Sequence, residues 1–191
     1  MRKISYLLPI LVLAACKSPA PDTQDKFMAH LADLCGQSFE GKVISKDEVD
    51  DDWRKDVMTI HVRDCDEDEI KIPLHVGDNR SRTWIVTDNG PGLTLNHDHR
   101  HEDGEPDKVS LYGGDTAAMG TEFVQSFPVD DFSKELFRRE GLEVSMQNTW
   151  ALTIDPGKTL TYALSRPNRD FRAQFDLTKP VETPPPAWGS E

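Results

Sequence analysis

The decapeptide LNHDHRHEDG, residues 95–104, places His97, His99 and His101 at every second position. Imidazoles in such a row can bind a transition metal, move a proton near neutral pH, or pair with carboxylates at a hairpin end. Extended-chain geometry separates these readings. Residues two apart on a strand lie about 6.6 Å apart, so two rings can converge on one ion through bonds of about 2.0–2.1 Å. His97 and His101 would be roughly 13 Å apart and cannot share an ion without a bulge. One metal therefore takes a single adjacent pair and needs ligands from another strand. His61, His75 and Asp115 are the candidates, but none stands in a ligand pattern. His61 and His75 share parity with polar neighbours, which predicts solvent exposure. A transition metal is thus a cofactor candidate with an incomplete ligand set. The plainer alternative is a charged hairpin arm in which the histidines interleave with Asp98, Arg100, Glu102 and Asp103. General acid–base catalysis by one histidine is the third reading.

Parity ties the histidines to the fold. Leu93 and Leu95 share their face, while Thr94, Asn96, Asp98, Arg100 and Glu102 share the other. If the leucines point inward, the histidines climb an inner wall toward an open end, where small β-barrels hold their ligands.

The same period of two runs through most of the chain. Met58, Ile60 and Val62 alternate with polar residues, as do Ile70, Ile72, Leu74 and Val76. Segments RTWIVTD, KVSLYGG, TEFVQSF, VSMQNTWALTI, KTLTYALSR and DFRAQFDLT read as further strands. Turn chemistry separates them at DNGPG and at Asp155-Pro156-Gly157. Two short amphipathic helices interrupt the pattern. The first carries Phe27, Leu31, Leu34 and Cys35 on one face, with Asp22 or Thr23 as its cap and Gly36 as its stop. The second lies in VDDFSKELFRREG and stops at Gly141. Nine or ten strands in close succession predict an all-β antiparallel meander that closes into a barrel or a curled sheet, with the first helix plugging or flanking one end. A two-sheet sandwich is the alternative. The general plan resembles the calycin barrels, an architectural analogy without functional content.

Asn148 is the polar member of an otherwise apolar face with Trp150, Leu152 and Ile154, so it requires a partner or a ligand. Asp47–Asp52 and Asp64–Glu69 are acidic runs lacking the turn glycine of a calcium loop, and they read as solvated turns. YGGDT has no following helix to make a phosphate cradle. The formal charge of -12 repels nucleic-acid backbones, which excludes nucleic acid as a partner class.

The N-terminus gives an address. Arg2 and Lys3 precede a short apolar run from Ile4 to Val12, the layout of a signal peptide over residues 1–15. It ends in Leu13-Ala14-Ala15-Cys16, which resembles the lipobox of bacterial lipoproteins. That resemblance implies cleavage before Cys16, several acyl chains on Cys16, and firm attachment to a membrane. Lys17 stands where the related sorting pattern has an inner-membrane Asp, so the resemblance implies the outer membrane. Residues 16–25 form a Pro-rich tether, 26–179 a single β-rich domain, and 180–191 a Pro-rich tail expected to be disordered. In an oxidising envelope, the remaining pair Cys35 and Cys65 reads as a disulfide. The block IKIPLHVGDNRSRTWIVT, with LNHDHRHEDG and LYGGDT, resembles an uncharacterised domain of Gram-negative envelope proteins. It implies one intact domain and no catalytic residues.

Three functions follow from these expectations. The first is a non-enzymatic, lipid-anchored barrel that binds a small ligand or an envelope partner protein. The second is a metal-binding protein or metal-dependent enzyme using the histidine strand. The third is a structural assembly factor.

Overall fold

A computed structural model describes residues 22–190. The expected signal peptide, Cys16 and most of the expected tether lie outside these residues. Ten antiparallel strands follow one another as a meander: β1 (Ser38–Val43), β2 (Met58–His61), β3 (Glu69–Val76), β4 (Asn79–Asp88), β5 (Leu93–His99), β6 (Tyr112–Asp115), β7 (Val124–Pro128), β8 (Thr149–Asp155), β9 (Thr159–Arg166) and β10 (Arg169–Val181). They form one sheet in the order β6-β5-β4-β3-β2-β1-β10-β9-β8-β7. Helix α1 (Thr23–Ala32) precedes it, and α2 (Asp131–Arg139) sits between β7 and β8. No described helix is long and apolar enough to cross a membrane.

The alternation builds the interior. Met58, Ile60, Ile70, Ile72, Trp84, Val86, Leu93, Leu95, Trp150, Leu152, Leu160 and Phe175 all face one continuous core. Burial of these large side chains supplies the main stabilising force, at about 1.5–3 kcal/mol for each apolar side chain fully removed from water. The outward residues between them stay wet, as a sheet with one dry face requires.

The barrel is nearly closed, and the two end strands meet at a narrow seam. Gly114 of β6 bridges Val129, and the Asp130 N–H donates to the Gly113 carbonyl at 3.1 Å. Two side chains reinforce the join. Ser133 of α2 accepts from the Gly113 N–H at 2.7 Å. At the far end, Gln24 of α1 donates its side-chain amide to Thr116 at 3.0 Å and to Gln125 at 3.5 Å, one on each side of the gap.

Both helices start as their caps dictate. Asp22 accepts from the N–H groups of Gln24 and Asp25, and Asp25 returns a bond to the Asp22 N–H. Asp130 accepts from the Ser133 N–H at 2.6 Å. Phe27, Met28 and Leu31 insert into the core, so α1 plugs the end at which β5 begins.

Cys35 and Cys65 are bonded across a sequence separation of 30 residues. The bridge ties the end of α1 to the β2–β3 connection. Serine at both positions is expected to lower unfolding free energy by about 3–4 kcal/mol in chemical denaturation, the entropic worth of a loop of that length. An unchanged denaturation midpoint would show that α1 is held by packing alone.

Three expectations need correction. The strand VSMQNTWALTI begins only at Thr149, because Glu143–Gln147 forms a 3-10 turn that returns the chain from α2 to the sheet. His75 is not solvated: it is 5% exposed, and its Nε2 has no hydrogen-bond partner. The β3–β4 ladder shifts register between Leu74 and Val76, which defeats a parity argument at this point. The tail is also ordered within the described residues. β10 runs to Val181, past the expected domain end, and the chain beyond it packs on the outer wall. The Trp188 N–H donates to the Arg80 carbonyl at 3.1 Å, Arg80 donates to the Pro186 carbonyl at 2.8 Å, and Ala187 is buried between these bonds. Proline stiffness lowers the entropic cost of docking such a segment.

Candidate ligand site at the barrel mouth

Helix α1 fills one end of the barrel, and the other end is open. β5 connects them, beginning at Leu93 beside α1 and ending at His99 in the opposite mouth. Its inward residues pair with those of β4: Leu95 with Val86, His97 with Trp84, and His99 with Arg82. Leu93, Leu95 and His97 are buried on the same side, so the histidines do continue the leucine face.

His101 does not join them. β5 ends at His99, and His101 stands in the following turn, exposed and 3.7 Å from Asp107. The other proposed metal partners are also elsewhere. Asp115 accepts from Thr94 at 2.6 Å on the outer face, and His61 and His75 belong to β2 and β3 without lining the mouth. Among the described residues, no three His, Cys, Asp or Glu side chains gather as a metal site.

His97 is committed on both nitrogens. Its Nδ1 lies 3.1 Å from the Tyr112 carbonyl, which can only accept, so Nδ1 carries the hydrogen. Nε2 then accepts from the Tyr162 hydroxyl at 2.9 Å. The ring stacks on Tyr112 at 4.7 Å, and Tyr162 stacks on Trp84 at 4.4 Å. Complete burial pushes the His97 pKa down to about 3, against a favourable contribution from the Tyr112 carbonyl. His99 lies 3.2 Å from the Tyr112 hydroxyl, and burial, followed by the neighbouring Arg82, lowers it to about 4. Burial also raises Tyr112 to about 12 and holds Tyr162 well above the ordinary phenol value. At neutral pH this wall is uncharged.

A consequence for stability follows. Protonation of His97 is harder in the folded chain than in the unfolded one, whose value is near 6.5. Stability is therefore intact above pH 6.5 and falls as the pH drops from there toward 3. The loss from His97 alone is on the order of 2 kcal/mol between pH 6.5 and 5. Urea titrations at the two pH values should show it. His97→Gln, which cannot titrate, should roughly halve the dependence, because His99, lowered to about 4, contributes a share of similar size over this window. An identical slope in the variant would mean that the ring is hydrated.

The charges of the mouth come from arginine. Its lining residues include Arg82, Arg166 and Arg169, together with Trp53, Trp84, Tyr162, Leu164 and Phe171, around a volume of about 400 Å³. Among the described residues no aspartate or glutamate lines it, although the chain as a whole carries a formal charge of -12. The three guanidinium groups are not equivalent. Arg169 is neutralised by Asp47 and by Asp50, which is fully buried and also accepts from Ser45 at 2.8 Å. Arg166 donates to the Asn148 side-chain oxygen at 3.0 Å, which supplies the partner that Asn148 required. Arg82 bonds only neutral groups among the described residues, the side chains of Asn79 and Ser81. Its guanidinium lies 4.9 Å from the Trp53 ring. Burial lowers its pKa, and no carboxylate offsets that effect.

The acidic run Asp47–Asp52 is thus more than a solvated turn. It belongs to the β1–β2 connection that roofs the mouth, with Val49 and Trp53 reaching its rim and Asp50 latching it to β10. Sequence reasoning missed all three arginines and Trp53. A signal for the arginines exists: each stands two residues outward of an inward apolar residue, Arg82 from Trp84, Arg166 from Leu164 and Arg169 from Phe171.

No family model matches this chain, and neither a curated relative nor a solved structure does.

Proposed function

We propose that this protein is a non-enzymatic envelope lipoprotein whose barrel holds a small amphipathic anion in its mouth, the acidic group on Arg82 and the body among the aromatic rings. One observation carries the reading. Among the described residues, Arg82 is a shielded guanidinium with no counter-carboxylate, in an aromatic cavity that no acidic residue lines. An anion entering there gains a charge-assisted bond, bidentate if the anion is a carboxylate or phosphate. The volume lies in the range of small-molecule sites. The metal alternative has less support, since both His97 nitrogens are already bonded and His101 lies outside the barrel.

Calorimetric titration of the mature chain with an aromatic carboxylate and its neutral amide tests this. The carboxylate should bind at least tenfold more tightly, because an ionic hydrogen bond is worth about 1.5–3 kcal/mol. Equal affinities would refute the anion seat.

The anchor rests on the Leu13–Cys16 motif at the end of a short apolar signal, and Lys17 favours the outer membrane. Intact-mass analysis of protein from a bacterial envelope should find acyl chains on Cys16. In Cys16→Ser the protein should leave the detergent phase for the aqueous phase. An unacylated wild type would remove the anchor from the proposal.

A further inference from the structure

The mouth has a neighbour. A second cavity of about 320 Å³ opens on the barrel flank, between the β5–β6 connection and the turn after α2. The two share four wall residues, His99, Tyr112, Leu164 and Arg166. These four residues stand between the two cavities, and among them the Tyr112 hydroxyl lies 3.2 Å from His99 Nε2. Arg166 borders both cavities, and the partner of its guanidinium, Asn148, lines only the flank. On the far side Val109, Phe137 and Leu142 offer apolar surface, with Asp107, Ser145 and Asn148 as the polar part of the same wall. Leu142 is 36% exposed, so the flank chamber leads to the outside.

From this we infer that the ligand is elongated: an anion with an unbranched apolar chain, its head in the mouth and its chain passing the His99–Tyr112 partition into the flank chamber. The position of the anchor sets the direction. Arg82 pairs with His99 across the β4–β5 ladder, so a group held by Arg82 starts beside the partition. Whatever extends from it either turns back under the Trp53 roof or goes forward into the apolar flank. The forward path brings a chain against Val109, Phe137 and Leu142 beyond the mouth, and each methylene buried there raises affinity about fourfold. This inference rests on the reading of Arg82 as the anion seat.

A homologous series of straight-chain carboxylates, from about four to about sixteen carbons, separates the two claims by the fourfold gain per buried methylene. In the wild-type mature chain, affinity should keep rising after the mouth is full. Leu142→Trp fills the flank chamber from a partly exposed position and should leave the fold intact. It should bind the shortest acids as the wild type does, then reach its plateau at a shorter chain length. Ser145→Phe, from the other wall of the chamber, should reproduce that early plateau if the first variant melts early. Identical plateaus in the wild type and both variants would overturn the flank chamber and leave the anion seat standing. A variant whose affinity still rises in parallel with the wild type would also overturn it. Failure of every acid to bind would remove the seat and the chamber together.

Discussion

Arg82→Met is expected to weaken binding of a small aromatic carboxylate by roughly ten- to a hundredfold and, at the same time, to stabilise the empty protein by about 1 kcal/mol. The two effects have one cause. Arg82 is drawn out of water into an aromatic rim where its only hydrogen-bonding partners are neutral, and burial lowers its pKa. A guanidinium in that position is under-compensated until an anion arrives. Methionine keeps an apolar stem of similar length and removes the charge, together with the guanidinium's contact with the Trp53 ring. Arg169→Met should behave oppositely. It would strand the fully buried Asp50 carboxylate and release the roof loop, so stability should fall by about 3 kcal/mol or more. Thermal unfolding and titration calorimetry on both variants check the pair. If Arg82→Met destabilises the empty chain as Arg169→Met does, Arg82 is a structural residue.

Gly114→Ala should have the largest effect on the fold. A Cβ on Gly114 would run into the carbonyl oxygen of Pro128, and one on Gly113 into that of Leu95. At both places backbone meets backbone, with no flexible side chain to move aside. Gly114 is also where β6 and the segment after β7 join, so relief of the clash must open the seam. A loss of about 3 kcal/mol or more is expected, against about 1 kcal/mol for Gly157→Ala, where positive φ is the whole penalty and no atom lies near. Denaturant melts measure both. Hydrogen exchange should show the Asp130 amide, which bonds Gly113, losing protection first in a Gly114→Ala protein. Equal losses in the two alanine variants would mean that the sheet edges are not joined at this point.

Local rules made much of this architecture legible. Period-two alternation, turn residues and capping aspartates suffice for the strands, the hairpins and both helices. The parity of Leu93, Leu95 and His97 carried through, because one buried face pins strand register. The same rule failed at His75, where a register shift interrupts the ladder, and at His101, where the strand has already ended. The site was only half visible. His97 and His99 drew attention by their type, yet the residues that give the mouth its character are arginines, whose long side chains look ordinary at strand ends. The latch between Asp50 and Arg169 spans 119 positions, and no local pattern encodes it. The Trp53 roof and the docked tail are aperiodic segments held by a few contacts from distant strands, which puts them beyond reach of propensity or period.

The most direct test of the anion seat is a spectrum of the arginine side-chain Nε–Hε resonances of the mature chain, recorded while an aromatic carboxylate is titrated in. The account predicts that the Arg82 resonance moves furthest and saturates with the calorimetric binding curve, while exposed Arg138 does not respond. Shifts spread evenly over the surface arginines, or a silent Arg82 in a complex that calorimetry shows to have formed, would contradict it.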